Sequence, residues 1–298
     1  MWSVSRRRNG ALHGLQGIRM QLNVALIRMV FPDCDAVGGL RDALKRAHSQ
    51  GAQLAVLPEI PLNAWSPASK VRQDDEVEPP AGPRHRAMSD AAREVGIGLI
   101  GGAIIRDPKT GRCHNTALAF DTSGELIGSY RKLRLPEEEG FWETSHYDPG
   151  DEPPSVIHGL PLPVGIQTCS DVNRPEGSHL LGALGAEIIV CPRATEAATF
   201  SRWKTVLTAN AITSCTYVIS VPRPRPEFEV PLGGPSFAVT PTGEVLAEGI
   251  EPMILVTIDQ DVLDQVRRRY PGYLPVRADL YAEGWKSVTS NRIAAPPA

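Results

Sequence analysis

The chain has 298 residues and a mass of 32.3 kDa, with 31 Lys plus Arg against 34 Asp plus Glu. A formal charge of −3 supplies no global field for holding nucleic acid or an anionic membrane. At 42% hydrophobic and 22% charged residues, a disordered or fibrous chain is excluded. The most apolar stretch, Val95 to Ile105, is broken by glycines and falls short of the roughly 18–20 residues that span a bilayer.

The first 20 residues are basic, with Arg6, Arg7, Arg8 and Arg19 and no acid before Asp33. The stretch Asn9 to Gln16 is too polar and glycine-rich for the apolar core of a secretory signal. This segment reads as a frayed extension, or as residues upstream of a natural start at Met20. The five cysteines, Cys34, Cys113, Cys169, Cys191 and Cys215, are odd in number, widely spaced and without a CxxC pair. They fit neither a disulfide framework nor a zinc site, so a reducing, cytoplasmic setting is expected.

From Met20 onward, buried strands alternate with amphipathic helices. Leu22–Val30 is a predominantly apolar run, the pattern of a strand covered on both faces. Asp35–Ser49 carries helical spacing and ends at Gly51, and Leu54–Leu57 is a second strand. A helix over Arg84–Val95 leads into strand Ile97–Ile105. Strands Thr116–Phe120 and Glu125–Tyr130 then form a hairpin around Gly124. The same order recurs further on. It runs through strand Val164–Thr168, helix Pro175–Leu184, strand Ile188–Cys191, helix Ser201–Ser214 and strand Tyr217–Val221. A hairpin of Phe237–Val239 with Val245–Ala247 follows. Strand Met253–Ile258, helix Val262–Arg269 and an irregular tail close the chain.

Two local matches support a repeat. Gly51-Ala-Gln-Leu-Ala-Val-Leu-Pro58 resembles Gly185-Ala-Glu-Ile-Ile-Val-Cys-Pro192, and the turn at Gly124 resembles that at Gly243. The expected fold is α/β: two pseudo-equivalent halves whose sheets pack together with helices outside.

Two motifs are set aside. Gly96-Ile-Gly98-Leu-Ile-Gly101 matches GxGxxG, but it follows a helix and enters a strand, the reverse of a dinucleotide site. The seven histidines include no HxxxH or HExxH pair. No cofactor and no metal is therefore expected.

Three residues at strand ends carry chemistry instead. Glu59 follows the buried strand Leu54–Leu57 and a proline. Lys132 ends the strand Glu125–Tyr130, within a cluster of basic residues. Cys169 stands on a strand-to-helix connection before Pro175, where open α/β folds place ligands. A carboxylate, an ammonium and a thiol are what metal-free amide cleavage requires: a base, an oxyanion donor and a nucleophile.

Leu57-Pro58-Glu59, Tyr130-Arg-Lys132 and Cys169-Ser-Asp171 with Arg174-Pro175-Glu176 resemble, in order and spacing, the three motifs of the nitrilase superfamily of carbon–nitrogen hydrolases. The resemblance runs from about Met20 to Asp259, giving a hydrolase domain over residues 21–262 and a C-terminal helix and tail over 263–298. It implies a four-layer αββα sandwich. Glu59 would be general base, Cys169 nucleophile, and Lys132 with the Ser170 N–H the oxyanion donors. Glu143, in Gly140-Phe-Trp-Glu143, matches a second active-site glutamate.

Cys169-Ser170-Asp171 in place of Cys-Trp-Glu favours amides or N-carbamoyl compounds over nitriles. Arg174 is a candidate clamp for a substrate carboxylate by the same resemblance. Arg193 and Thr195 follow the repeated strand at the place of Glu59 and are expected to line the pocket with Glu196. The expected activity is hydrolysis of a small amide or ureido substrate through a thioester. The rivals are acyl transfer to an amine, nitrile hydrolysis and a catalytically silent binding protein. A homodimer or larger homo-oligomer is expected, using Leu180, Leu181 and Leu184 with Tyr270, Tyr273, Leu274 and Tyr281.

Overall fold

In a computed structural model, residues 20–32 and 36–288 are described. The expected basic extension, Met20 apart, and the end of the tail lie outside them. The first half comprises β1 (Gln21–Ile27), α1 (Ala36–Ser49), β2 (Leu54–Val56), β3 (Val77–Glu78), α2 (Pro83–Val95), β4 (Gly98–Arg106), β5 (Cys113–Phe120) and β6 (Leu126–Arg131). A small ladder, β7 (Glu137–Glu138) with β8 (Phe141–Trp142), follows. The second half comprises β9 (Val156–Ile157), β10 (Val164–Ile166), α3 (Pro175–Ala183), β11 (Ile188–Arg193), α4 (Phe200–Ser214), β12 (Tyr217–Pro222), β13 (Ser236–Val239) and β14 (Val245–Gly249). Strand β15 (Met253–Asp259) and helices α5 (Gln260–Arg268) and α6 (Ala278–Lys286) complete the chain.

Side chains that alternate along each strand set the layering. Leu22, Val24 and Leu26 of β1 enter a core shared with Ile166, Ile188, Val190 and Ile219 of the other half. Their neighbours Ala25 and Ile27 pack with Leu40, Leu44, Met88 and Ala92 of α1 and α2. In β11, Ile188 and Val190 face the shared core, while Ile189 and Cys191 meet Leu207 and Ala211 of α4 and Leu181 of α3. The order is therefore helix, sheet, sheet, helix, the expected αββα sandwich.

Topology bears out the repeat. One sheet runs β15-β1-β2-β4-β5-β6, with β3 beside β4; the other runs β14-β13-β12-β11-β10-β9. In each, three parallel strands are followed by an antiparallel hairpin. In each, an antiparallel strand also covers the open side of the first parallel strand. The glycine motif packs helix onto sheet: Gly96 closes α2 in the left-handed region, and a Cβ on Gly101 would stand 2.5 Å from Met88 Sδ.

Three expectations need correction. β1 stops at Ile27 and not at Val30, because Arg28 turns away to loop carbonyls; its N–H reaches Pro252 and its guanidinium reaches Pro224, Gly234 and Ile250. The tail is not wholly irregular, since α6 forms within it. Leu181 is buried against the sheet, so only Leu180 of α3 and Leu184 just past its end face outward. The short strands β3, β7, β8 and β9 lack a sequence signal because two-residue strands have no period to detect. Among the described residues no helix is long and apolar enough to cross a membrane.

Candidate active site

The carboxyl ends of β2, β6, β10 and β11 converge. Beyond β2 the chain turns at Ile60, whose φ of 39° lies in the left-handed region, and Glu59 is held inward. Lys132 directly follows β6; its N–H donates to Asn115 O at 2.9 Å and its carbonyl accepts from Gly150. Past β10 the chain enters a 3-10 turn, Cys169–Asn173, with Cys169 at φ 48°. A non-glycine residue held there is strained, and surrounding bonds must hold it in place. Much of that restraint comes from Asp171. Its buried carboxylate accepts from Tyr130 Oη at 2.8 Å, Arg134 N at 2.9 Å and Leu133 N at 3.3 Å, tying the Cys169 turn to the segment bearing Lys132.

Four titratable groups then meet in a space closed to solvent. Lys132 Nζ donates to Glu59 Oε1 at 2.8 Å and to Glu143 Oε1 at 2.6 Å, with all three side chains fully buried. Asn115 Nδ2 also donates to Glu59 Oε1 at 2.8 Å, and the Ala194 N–H donates to Glu59 Oε2 at 2.8 Å. The Cys169 thiol donates to the Ala194 carbonyl at 3.3 Å. Ala194 thus holds the base by its N–H and the thiol by its C=O.

The charges follow from this packing. Burial pulls the Lys132 ammonium down, but Glu143, Glu59 and Cys169 outweigh it, and the group sits well above its ordinary value. Burial pushes Glu143 up to about 8 against the pull of Lys132, with Glu59 adding repulsion. Its Oε2 has no hydrogen-bond partner among the described residues. Burial, reinforced by Glu59, also drives the Cys169 thiol well above its usual range, Lys132 opposing. The resting sulfur is therefore a neutral thiol and needs a base to become a nucleophile.

A cavity of about 560 Å³ opens onto Cys169. Ser170 and Thr195 line it, together with Asn173, Ala194, Phe141 and Trp203; Glu138, Glu139, Glu196 and Arg202 also stand on its wall. Two expected lining residues do not reach it. Arg174 is exposed at the start of α3, outside the cavity wall. Arg193 is fully buried behind Thr195 and likewise absent from the wall. Among the described residues no group of His, Cys, Asp and Glu could hold a metal ion.

Several contributors escape the sequence reading. Asn115 is a polar residue in an apolar strand, and that contrast is its only signal. Arg223 is fully buried beyond β12. It donates to the carbonyls of Glu59 and Ile60 at 2.9 Å and of Asn63 at 2.9 Å, and pairs with Glu227 at 2.7 Å. It fixes the turn behind Glu59, and one arginine after a strand announces nothing of this. The Ala194 backbone has no side-chain signature at all.

Sheet order and the buried carboxylate–ammonium–thiol set define a carbon–nitrogen hydrolase of the nitrilase type. The carbon-nitrogen hydrolase family model matches residues 35–268, and the chain belongs to that family. It is 31% identical over 248 residues to the omega-amidase NIT2 of Xenopus tropicalis, covering 80% of this chain and 88% of that one. Against the human omega-amidase NIT2 it is 30% identical with the same coverage. Among solved structures, an amidase from Nesterenkonia sp. superposes with a TM-score of 0.73 at 26% identity, covering 88% of this chain and 96% of that one. One structure of that amidase shows Michael addition of acrylamide at its active-site cysteine. A carbon-nitrogen hydrolase from Helicobacter pylori shares the fold, with a TM-score of 0.79 at 22% identity over 91% of this chain and all of that one.

Proposed function

We propose that the protein hydrolyses the C–N bond of a small amide through a thioester on Cys169. One observation carries this reading: a buried ammonium bonded to two carboxylates, beside a thiol that shares Ala194 with one of them. Glu59 takes the Cys169 proton as sulfur attacks the carbonyl carbon. The oxyanion is met by Lys132 and by the Ser170 N–H at the start of the 3-10 turn. As the C–N bond breaks, Glu59 returns its proton to the leaving nitrogen, giving ammonia or an amine and the acyl thioester. Water then attacks the thioester and gives its proton to Glu59. Breaking the C–S bond returns that proton to sulfur and releases the acid.

Glu143 accepts from the same Lys132 ammonium as Glu59. Raised to about 8, it keeps a proton at neutral pH. The Lys132 charge is then offset by Glu59 alone, and once Glu59 has taken the thiol proton that charge is available to the oxyanion. The relatives named as amidases support an amide over an N-carbamoyl compound or a nitrile.

The test is mass spectrometry of the intact protein during turnover of an amide panel. An acyl adduct on Cys169, absent from Cys169→Ala, supports the reading. Unchanged amide hydrolysis by Cys169→Ala would falsify it. Added amines separate hydrolysis from transfer: a dominant N-acyl product would make the protein an acyltransferase.

A further inference from the structure

Three donors hold the Glu59 carboxylate, and its two oxygens share them unequally. Oε1 accepts from Lys132 Nζ and from Asn115 Nδ2, each at 2.8 Å. Oε2 accepts from the Ala194 N–H alone among the described residues, at 2.8 Å. An ionised carboxylate has about two lone-pair sites on each oxygen, so Oε1 is filled and Oε2 keeps one open. The Ala194 carbonyl takes the Cys169 thiol at 3.3 Å, so the oxygen with room is bonded to the residue that holds the sulfur.

Asn115 is what fills Oε1 beside the ammonium. It is buried in β5, and its carbonyl accepts the Lys132 N–H at 2.9 Å. One residue therefore holds the ammonium segment by its backbone and the base by its side chain. That side chain is a neutral donor. A second cation in its place would hold Glu59 ionised and oppose proton uptake, and a carboxylate would repel it. An apolar side chain would leave Oε1 open to the proton. The amide aims the carboxylate and adds no charge. A donor on a carboxylate also favours the ionised form, so a proton taken up beside it is readily given back.

We propose that Asn115 is a positioning residue for proton return: with Lys132 it fills Oε1, confines the thiol proton to Oε2 and lets Glu59 release it to the leaving nitrogen. The proposal rests on the amidase reading above. The Cys169 proton passes to Oε2 as the C–S bond forms, and from Oε2 to nitrogen as the C–N bond breaks. The carboxyl group need not rotate between the two steps, because its three donors hold it throughout. Without the Asn115 amide, the proton can settle on Oε1, away from the leaving group, and is held more tightly there.

The experiment puts two leaving groups on one acyl chain. An amide nitrogen leaves only once protonated, whereas p-nitrophenolate leaves without a proton. For the wild type and variants, kcat and KM are measured on the fastest amide of the panel and on the p-nitrophenyl ester of the same acid. Thermal midpoints are recorded alongside. Asn115→Leu keeps a similar volume and loses the donor. It should lower amide kcat/KM by about 10- to 100-fold, the worth of a hydrogen bond to a charged group, with KM within about twofold. Ester kcat/KM should stay within about threefold, since that reaction needs the thiolate and no returned proton. Asn115→Asp keeps the shape and donates only while protonated. Its amide-to-ester ratio should approach that of the wild type near about pH 5 and fall toward about pH 8. The other titratable groups that act on or feel Glu59, namely Lys132, Glu143, Tyr147, Cys169 and Cys191, are the same in every variant.

Equal losses on amide and ester, or an unchanged amide rate in Asn115→Leu, would overturn the proposal and leave the amidase reading intact. If Asn115→Leu does not fold, Asn115→Asp decides: an amide-to-ester ratio that parallels the wild type across the pH range would also overturn it. A wild type that cleaved the esters and no amide would instead bring down the amidase reading, and this proposal with it.

Discussion

Glu59 and Arg193 stand at corresponding places in the two halves, in Leu57-Pro58-Glu59 and Cys191-Pro192-Arg193, at the ends of β2 and β11. Both are buried and charged, yet their surroundings are opposite. Glu59 accepts from an ammonium, an amide side chain and a backbone N–H, so its charge is compensated within the protein. Arg193 donates only to neutral oxygens. A duplicated framework has thus placed a charge at the same point twice. One is closed into the network around the thiol, and the other is held by neutral oxygens behind the cavity wall.

The largest effects should come from the closed network. Cys169→Ala is expected to reduce turnover to background. Glu59→Gln should lower kcat by about 10²–10⁴-fold, the usual contribution of a general acid–base group; steady-state rates test both. Lys132→Met leaves the buried Glu59 carboxylate without its cation and should cost about 3–5 kcal/mol of stability. Arg193→Met removes a cation that no acid needs and should cost about 1–3 kcal/mol through its lost hydrogen bonds. Urea denaturation of the two variants side by side would break the comparison if Arg193 proved the more costly loss.

Acidity sharpens the contrast further. Burial raises Glu143 from 4.5 to about 8, so the folded state keeps a proton that the unfolded chain gives up. Its contribution to stability is present in full below 4.5 and is lost as pH rises through about 8. Glu143→Gln should flatten that decline in denaturation measured between pH 5 and pH 8.5. It should also shift the alkaline fall in kcat/KM, because the variant cannot become a second carboxylate on Lys132. The smallest effect belongs to Arg174→Ala. Outside the cavity wall, it should leave kcat/KM within about twofold, as expected of an exposed surface side chain.

Self-association is a separate proposal. Tyr270, Tyr273, Leu274, Tyr281 and Trp285 are all exposed on the C-terminal segment. Light scattering should find a homodimer or larger assembly, and charged substitutions at Tyr273 and Tyr281 together should shift it toward monomer.

The sequence made the strands legible because β1, β2, β10, β11 and β12 are largely buried and read as mostly apolar runs. It made Glu59, Lys132 and Cys169 legible because each breaks an apolar pattern at a strand end, in an order matching known motifs. Arg174 and Arg193 were harder. Whether an arginine enters a cavity, lies behind its wall or points to solvent depends on neighbours far along the chain. Asn115, Arg223 and the Ala194 backbone act across the sheet interface, where no local pattern records them.

By itself, then, the sequence determined the alternation of elements, the repeat and the identity of the reactive groups, since these depend on local periodicity and residue chemistry. Only the tertiary structure decided which charges are paired and which thiol is raised. It alone decided which arginine is walled in and which meets solvent, because burial and electrostatic compensation exist only once the two halves have packed together.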